Sequence, residues 1–317
     1  MMTLTVTQKT READDVFSFQ LAASNGQPLP AYEAGAHIDL HLPQGQVRQY
    51  SLCMPSGAGQ PGSYTVAVLR DPASRGGSIA LHDQIRVGMT LMASPPRNLF
   101  ALVPHAQKTL LFAGGIGITP ILCMAQELAA RQQDFELHYC CRSRSKAAFA
   151  DFLESSAFAG RAHLHFDDVS PLDVQACLKP PQAGQHLYVC GPNGFMQHVL
   201  TSASLCGWPE TQLHREHFAA VPANRPQADI AFEVEIASTG AVHLIPPERS
   251  VFEVLDEAGI SLPVSCEQGV CGTCVTKLIA GTPDHRDQYL TAAEHARNDC
   301  FTPCCSRALS PRLVLDI

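Results

Sequence analysis

SCEQGVCGTC at residues 265–274, followed by PCCSRA at 303–308, is the stretch on which the reading of this chain turns. Cys266, Cys271 and Cys274 are spaced Cys-x4-Cys-x2-Cys, and Cys304 follows after 29 intervening residues. That is the plant-type spacing for four thiolates around a [2Fe–2S] cluster, three from one tight loop and one from a distant segment. Gly269 and Gly272 suit such a loop, because a residue without Cβ lets the backbone fold closely and aim N–H groups at sulfur. Two alternatives stand beside it. Structural zinc usually takes two Cys-x2-Cys-like pairs, and only one half here has that form; buried structural cysteines are the other. Cys300 and Cys305 compete with Cys304 for the fourth position. On an extended segment neighbouring side chains point oppositely, so Cys304 facing a cluster turns Cys305 away. Cys53, Cys123, Cys140, Cys141, Cys177 and Cys206 read as small buried apolar residues.

Outward from that loop, the chain of 317 residues has room for two or three domains. Apolar residues make up 45% and charged residues 16%, enough for sizeable cores and too little charge for a disordered or coiled-coil chain. The formal net charge of −8 argues against a general nucleic-acid binder. Residues 229–317 carry 6 Lys plus Arg against 13 Asp plus Glu, a net −7, so the charge concentrates around the cysteine loop. Solubility alone explains an acidic surface; the sharper reading is steering towards a basic partner. No apolar run is long enough to cross a bilayer, and MMTLTVTQKTREADD lacks the apolar core of a signal peptide. Neither a membrane nor a nucleic acid is an expected partner, and the cytoplasm is the expected location. Thirteen cysteines, an odd number without a secretory signal, argue against a disulfide framework.

The pattern along the chain predicts a multidomain protein. Residues 1–102 hold short alternating segments separated by Gly/Pro clusters, the mark of an antiparallel β-barrel or sandwich. Residues 103–221 alternate apolar strands (109–114, 136–141, 163–168, 186–191) with helical periodicity, which predicts an α/β domain with a parallel sheet. Thr119 and Pro120 occupy the expected N-cap and first position of its first helix. Residues 222–228, within AAVPANRPQAD, read as a linker. Residues 229–317 open with two strands, and Ser250-Val-Phe-Glu253 forms a capping box ahead of a helix.

Four motifs carry chemistry upstream of the cysteines. Arg48-Gln49-Tyr50-Ser51 offers a guanidinium fork for a phosphate or ribityl chain, a ring to lie on an isoalloxazine and a hydroxyl near its N5. Arg75-Gly76-Gly77-Ser78 precedes a short helix, whose first N–H groups suit a phosphate that two glycines let approach; an ordinary turn with Ser78 as N-cap is the alternative. Gly114-Gly115-Ile116-Gly117-Ile118-Thr119-Pro120 leaves a strand and opens a helix, the context a dinucleotide loop requires, although Pro120 stands where a third Gly would be. Cys190-Gly191-Pro192 ends a further strand, and open parallel sheets bind ligands at such strand ends. Cys190 reads as a packing or orienting residue ahead of a redox thiol. Arg142 and Ser143 could hold a 2′-phosphate, which Asp167 and Asp168 would repel if they lay close.

SCEQGVCGTC with PCCSRA resembles the C-terminal ferredoxin domain of the phthalate dioxygenase reductase and vanillate O-demethylase reductase family. RQYS, RGGS, GGIGITP and CGP extend the resemblance over essentially the whole chain in the same domain order. The resemblance implies an antiparallel β-barrel flavin domain, an α/β nucleotide domain and an α+β (β-grasp) ferredoxin domain. It implies FMN held by Arg48, Tyr50, Ser51, Arg75, Gly76, Gly77 and Ser78, because that helix start takes a terminal phosphate. It implies NADH against Gly115, Gly117, Thr119, Pro120, Arg142, Cys190, Gly191 and Pro192, and a [2Fe–2S] cluster on Cys266, Cys271, Cys274 and Cys304. Ser51, Cys190, Glu216 and Phe218 are the implied catalytic set, with Phe218 over the flavin and Glu216 near the nicotinamide; a Phe ending a strand is equally often core. The implied activity is an NADH-dependent reductase that supplies a Rieske-type oxygenase. A ferredoxin fused to a degenerate flavoprotein is the rival, against which the intact motifs speak. A free-standing flavin reductase or flavohaemoglobin-like protein is another, disfavoured by the C-terminal cysteine loop.

Overall fold

Alternation in the first hundred residues folds as expected into an antiparallel sheet. In the computed structural model, which describes residues 1–43, 45–57, 59–74, 76–218 and 229–317, its strands run in the order Val47–Ser51, Ala36–His41, Thr90–Ala93, Met2–Ala13, Val16–Ala23, Ser63–Leu69. The two ends of this order meet. Leu52 bridges Val66, and the Cys53 N–H donates to the Thr65 carbonyl at 3.0 Å. The sheet is thereby closed into a barrel, which removes both edges. Leu4, Val6, Leu21, Ile38, Leu40 and Val66 fill its interior. Register shifts after Val6 and Arg11 bend the long first strand around it. The helix Gly77–Asp83 adds Ala80 and Leu81 to the same core. The Lys9 ammonium donates to the His82 and Ile85 carbonyls at 2.6 and 3.0 Å, serving groups a helix C-terminus leaves open.

The second sheet is fully parallel, in the order Ala162–Phe166, Phe135–Cys141, Lys108–Gly114, Gln185–Cys190, Leu213–Glu216. The chain first builds outward from Lys108–Gly114 in one direction and then returns to its other side. The switch point therefore lies between Lys108–Gly114 and Gln185–Cys190, where such sheets open a crevice. The strand expected over 163–168 ends at Phe166, because Asp167 and Asp168 enter a turn. Thr119 is not the N-cap of the first helix. Ile118–Ala130 is preceded by a tight turn at Gly115–Gly117, Gly117 is the cap, and the Thr119 hydroxyl donates to the Ile116 carbonyl at 3.1 Å. Pro120 is tolerated two residues inside, since first-turn N–H groups have no partner within the helix.

These two sheets belong to one unit, Met1–Glu216; His217–Ile317 is the other. The linker expected at 222–228 lies outside the described residues. In the second unit the strands run Val242–Ile245, Phe232–Ile236, Arg312–Leu315, Thr276–Ala280, Cys300–Phe301. Phe232–Ile236 pairs in parallel with Arg312–Leu315, and the other neighbours are antiparallel. The helix Val251–Glu257 packs Val251 and Leu255 against Val234, Phe301 and Leu313. Its capping box is present as read: the Glu253 N–H donates to Ser250 Oγ at 3.2 Å, and the Ser250 N–H to the Glu253 carboxylate at 2.8 Å. Thr291-x-x-Glu294 forms a second box, ahead of Ala292–Arg297. Cys53, Cys123 and Cys141 are buried as expected, whereas Cys140, Cys177 and Cys206 keep partial exposure. Among the described residues no helix is long and apolar enough to cross a membrane.

Candidate functional site

Arg48 and Tyr50 sit two apart on Val47–Ser51 and so share one face of the strand. Tyr50 packs against the barrel core. Arg48 lies across the start of Gly77–Asp83: a Cβ added at Gly77 would come 2.7 Å from Arg48 Cγ and 2.8 Å from its Nε. Ser78 is not the N-cap there. Gly76, at φ 87°, is the cap, with no side-chain acceptor, and Ser78 Oγ instead accepts from the Asp71 N–H at 3.2 Å. A guanidinium thus stands over a helix start whose first N–H groups no side chain caps, an arrangement that fits a terminal phosphate. Arg75 lies outside the described residues.

At the switch point the two Gly-bearing loops touch backbone to backbone. A Cβ on Gly117 would collide with the Cys190 carbonyl and stand 2.6 Å from the Gly191 nitrogen; one on Gly191 would stand 2.9 Å from Gly114 Cα. Gly115, at φ 53°, has nothing within 4 Å of its missing Cβ, so this loop opens to free space on one side. Thr119 and Pro120 are buried in the first turn that follows, and Pro192 caps Asn193–Leu205. Arg142 is exposed and makes no hydrogen bond or ion pair among the described residues. Arg144 is held by Asp151 and by Glu154, at 2.5 Å each. Asp167 lies close: its N–H donates to the Cys141 carbonyl at 3.1 Å, beside Arg142.

Sequence reasoning singled out Ser51 and Glu216 separately and did not join them. Ser51, the last residue of its strand, donates from Oγ to Glu216 Oε2 at 3.3 Å, so the barrel and the parallel sheet meet at this pair. Glu216 lies level with Cys190 on the neighbouring strand. No local signal relates two residues 165 positions apart; only the fold does. Cys190 is fully buried, and desolvation, with Glu216 adding to it, pushes its thiol well above the ordinary range. Glu216 keeps some accessible surface as a residue, but its carboxyl is enclosed, and burial pushes its pKa from 4.5 up to about 8. The folded protein therefore holds a proton there that the unfolded chain has released. The resulting stabilisation is complete below about pH 4.5 and is lost as pH rises through about 8. Glu216→Gln removes this dependence, so its thermal midpoint is expected to fall less than the parent's between pH 5 and pH 8. Parallel midpoint-against-pH curves for the two proteins would refute the assignment. Phe218 belongs to the other unit, beyond the end of its expected strand, and is 43% exposed; it is not a core residue.

In the second unit the four sulfurs named from the spacing converge. Cys274 Sγ and Cys304 Sγ are 3.3 Å apart, and Cys266 is within hydrogen-bonding reach of both Cys271 and Cys304. Backbone N–H groups face them: Gln268 donates to Cys266 Sγ at 3.4 Å, Val270 also faces Cys266, and Thr273 faces Cys271. Gly269 and Gly272 adopt φ of 71° and 67°. A Cβ on Gly272 would strike the Tyr289 ring, which covers the loop there. Four converging thiols with amide donors around them match what an iron–sulfur cluster needs. The expectation that Cys305 turns away fails. Its segment is a turn, closed by the Ser306 N–H on the Thr302 carbonyl at 2.9 Å, so strand alternation does not apply. Cys305 Sγ lies 3.3 Å from Thr302 Oγ1 and would be struck by a Cβ on Gly269. Cys300 pairs across the sheet with Lys277, beside Asp299. Arg307, buried, donates to the carbonyls of Arg249, Ile230 and Pro246 at 2.7, 3.0 and 2.9 Å and so ties the segment carrying Cys304 to the body of the unit.

Two family models match the chain: a 2Fe-2S iron-sulfur cluster binding domain over residues 235–309, and the N-terminal domain of dimethylamine monooxygenase subunit DmmA-like proteins over residues 89–213. The vanillate O-demethylase oxidoreductase of Pseudomonas sp. (strain HR199 / DSM 7063) is 56% identical over 308 residues, 96% of each chain. Among solved structures, phthalate dioxygenase reductase, described as modular for electron transfer from pyridine nucleotides to [2Fe-2S], is 38% identical, with a TM-score of 0.77 over 100% of this chain and 98% of that one. An intact type IV self-sufficient cytochrome P450 monooxygenase matches with a TM-score of 0.86 at 35% identity; all of this chain corresponds to 41% of that longer one.

Proposed function

The chain belongs to the family of reductases represented by vanillate O-demethylase oxidoreductase and phthalate dioxygenase reductase, and we propose that the oxygenase it serves is of the Rieske type and acts on an aromatic or similar small substrate. It is an oxidoreductase component of an oxygenase system, with FMN, NADH and a [2Fe–2S] cluster as its cofactors. A bound FMN would supply a two-electron acceptor for hydride and a bound cluster a one-electron acceptor, which together would turn pair transfer into single transfers. The protein's part is to hold, orient and insulate.

The observation that carries the flavin-to-nicotinamide part of this reading is the Ser51–Glu216 hydrogen bond, which joins the end of the RQYS strand to the strand beside CGP. Ser51 and Glu216 orient the reacting edge, with the Glu216 carboxyl protonated at neutral pH. Arg48 and the Gly76–Ser78 turn neutralise and seat the flavin phosphate, together with Arg75. Tyr50 supplies the ring contact. Gly115, Gly117, Thr119, Pro120, Cys190, Gly191 and Pro192 form the wall of the nicotinamide crevice, and Arg142 meets the adenylate end. The Asp167 main chain bonds Cys141, the neighbour of Arg142, and this edge is read as taking NADH in preference to its 2′-phosphorylated form. Cys266, Cys271, Cys274 and Cys304 hold the irons. The working division is a flavin barrel at 1–102, a nucleotide domain at 103–221, a linker at 222–228 and a ferredoxin domain at 229–317, in a cytoplasmic protein.

Anaerobic NADH added to the purified protein alone should bleach both flavin and cluster absorption, and heat-released flavin should run as FMN. Failure to bleach would leave a carrier module, and released FAD would overturn the phosphate seat. The acidic C-terminal unit adds a second expectation. Electron transfer to the oxygenase should weaken as salt shortens the Debye length, about 10 Å at 0.1 M. NADH oxidation by a small neutral acceptor should change little. Equal salt dependence in the two assays would remove steering as an explanation.

A further inference from the structure

Among the described residues outside the sites above, three ligand-type side chains converge in the second unit. His285, Asp287 and His295 each present an atom within 4.8 Å of the other two. His285 Nδ1 is 3.7 Å from Asp287 Oδ1, and His295 Nε2 is 3.3 Å from both Asp287 oxygens. The Asp287 side chain is completely buried and the His285 side chain is only 10% exposed. Neither ring nitrogen of His285 has a hydrogen-bond partner; Asn298 and the His295 main chain lie near it but out of hydrogen-bond geometry. A buried imidazole with both nitrogens unserved is costly unless a ligand completes it.

The carboxylate is already oriented. Asp287 Oδ2 accepts the Leu290 and Tyr289 N–H groups at 2.7 and 3.2 Å, and the Thr302 hydroxyl lies 3.4 Å from Oδ1. Oδ1 is thereby left facing both imidazoles. A hydrogen-bonded network explains His295, which reaches the carboxylate, but not His285, whose 3.7 Å separation is too long. We propose that His285, Asp287 and His295 form a binding site for a borderline divalent cation, Zn2+ in particular, separate from the four cysteines. Two imidazole nitrogens and one carboxylate oxygen are a donor set such ions favour, and three protein ligands leave a position for water. His295, with 30% of its side chain exposed, is the solvent side. The two rings stack at 4.2 Å, 22° from parallel, so an ion draws their nitrogens inward by side-chain rotation, chiefly of His295. An occupant links the Asp287 turn to the helix Ala292–Arg297. That turn packs on the cysteine loop, since a Cβ on Gly269 would stand 2.9 Å from Asp287 Cα.

The test uses the holoprotein, freed of adventitious metal on a chelating resin, with Zn2+ added and binding followed by calorimetry. One site per chain is expected. Zinc-edge X-ray absorption should report nitrogen and oxygen neighbours at about 2.0–2.1 Å and no sulfur at about 2.3 Å. His295→Ala should weaken binding by about tenfold or more while flavin and cluster spectra stay unchanged. Glu136→Gln, at the other imidazole–carboxylate cluster with His138 and His163, should leave binding as it was. Sulfur in the zinc shell, undiminished binding in His295→Ala, or no saturable binding would each overturn the site. Asp287 is left intact in the test, because its loss also uncaps Tyr289 and Leu290.

Discussion

Cys304→Ala is expected to lose the cluster while keeping NADH-driven flavin reduction. Cys304 Sγ stands 3.3 Å from Cys274 Sγ and within reach of Cys266, so its removal opens one corner of the four-sulfur set. Ligand binding and local folding are coupled in such sites, and an incomplete set cannot offset the ordering of a loop with two residues at φ near 70°. Iron and sulfide content should fall by about tenfold or more, and with them reduction of a one-electron protein acceptor. NADH oxidation by a two-electron dye should remain close to the parent's, because the flavin and nucleotide residues lie in the Met1–Glu216 unit. Cys305→Ala is the counterpart. Its thiol is engaged by Thr302 and packs against Gly269, so the change leaves a small void and keeps the cluster. A cluster that survives the first change and is lost in the second would make Cys305 the ligand.

What could be read before folding was what is written locally. The Cys-x4-Cys-x2-Cys loop carries its meaning in a nine-residue span plus one distant partner, and GGIGITP carries it in the succession of strand, turn and helix. The alternating strands announced a barrel and the apolar ones a parallel sheet. Errors arose where a local rule met a competing local bond. Thr119 looked like a cap, yet the tight turn at Gly115–Gly117 starts the helix earlier and its hydroxyl folds back on Ile116. Ser78 looked like another, yet its hydroxyl serves Asp71. Strand alternation would turn Cys305 away from Cys304, yet their segment is a turn. Three features had no sequence signal strong enough to find them: the Ser51–Glu216 bond, the Tyr289 ring over Gly272, and Arg307 spread over three carbonyls. Each depends on residues brought together across the chain, and burial decides its chemistry. Glu216 has its pKa raised to about 8 only because the strand end enclosing it exists.

Gly117→Ala should have the largest effect of any single methyl group added to the nucleotide crevice. Its backbone is not in the left-handed region, so the penalty is contact rather than torsion. The new Cβ would run into the Cys190 carbonyl and stand 2.6 Å from the Gly191 nitrogen. Both are main-chain atoms, and no rotamer change relieves the overlap, so the GGIGITP and CGP loops must move apart. Overpacking of this kind costs about 1–3 kcal/mol of stability. The functional loss should be larger, because a displacement near 1 Å at a positioned reacting group can cost about a hundredfold in rate. Anaerobic stopped-flow reduction of the bound flavin by NADH should therefore slow by roughly that factor, while flavin content and the cluster spectrum persist. Gly194→Ala is the control: it lies in the helix Asn193–Leu205 with nothing within 4 Å of its missing Cβ. Alanine there should stabilise by about 0.5–1 kcal/mol through helix propensity and leave flavin reduction unchanged. Equal rates in the two variants would mean that the contact between the loops does not set the nicotinamide's position.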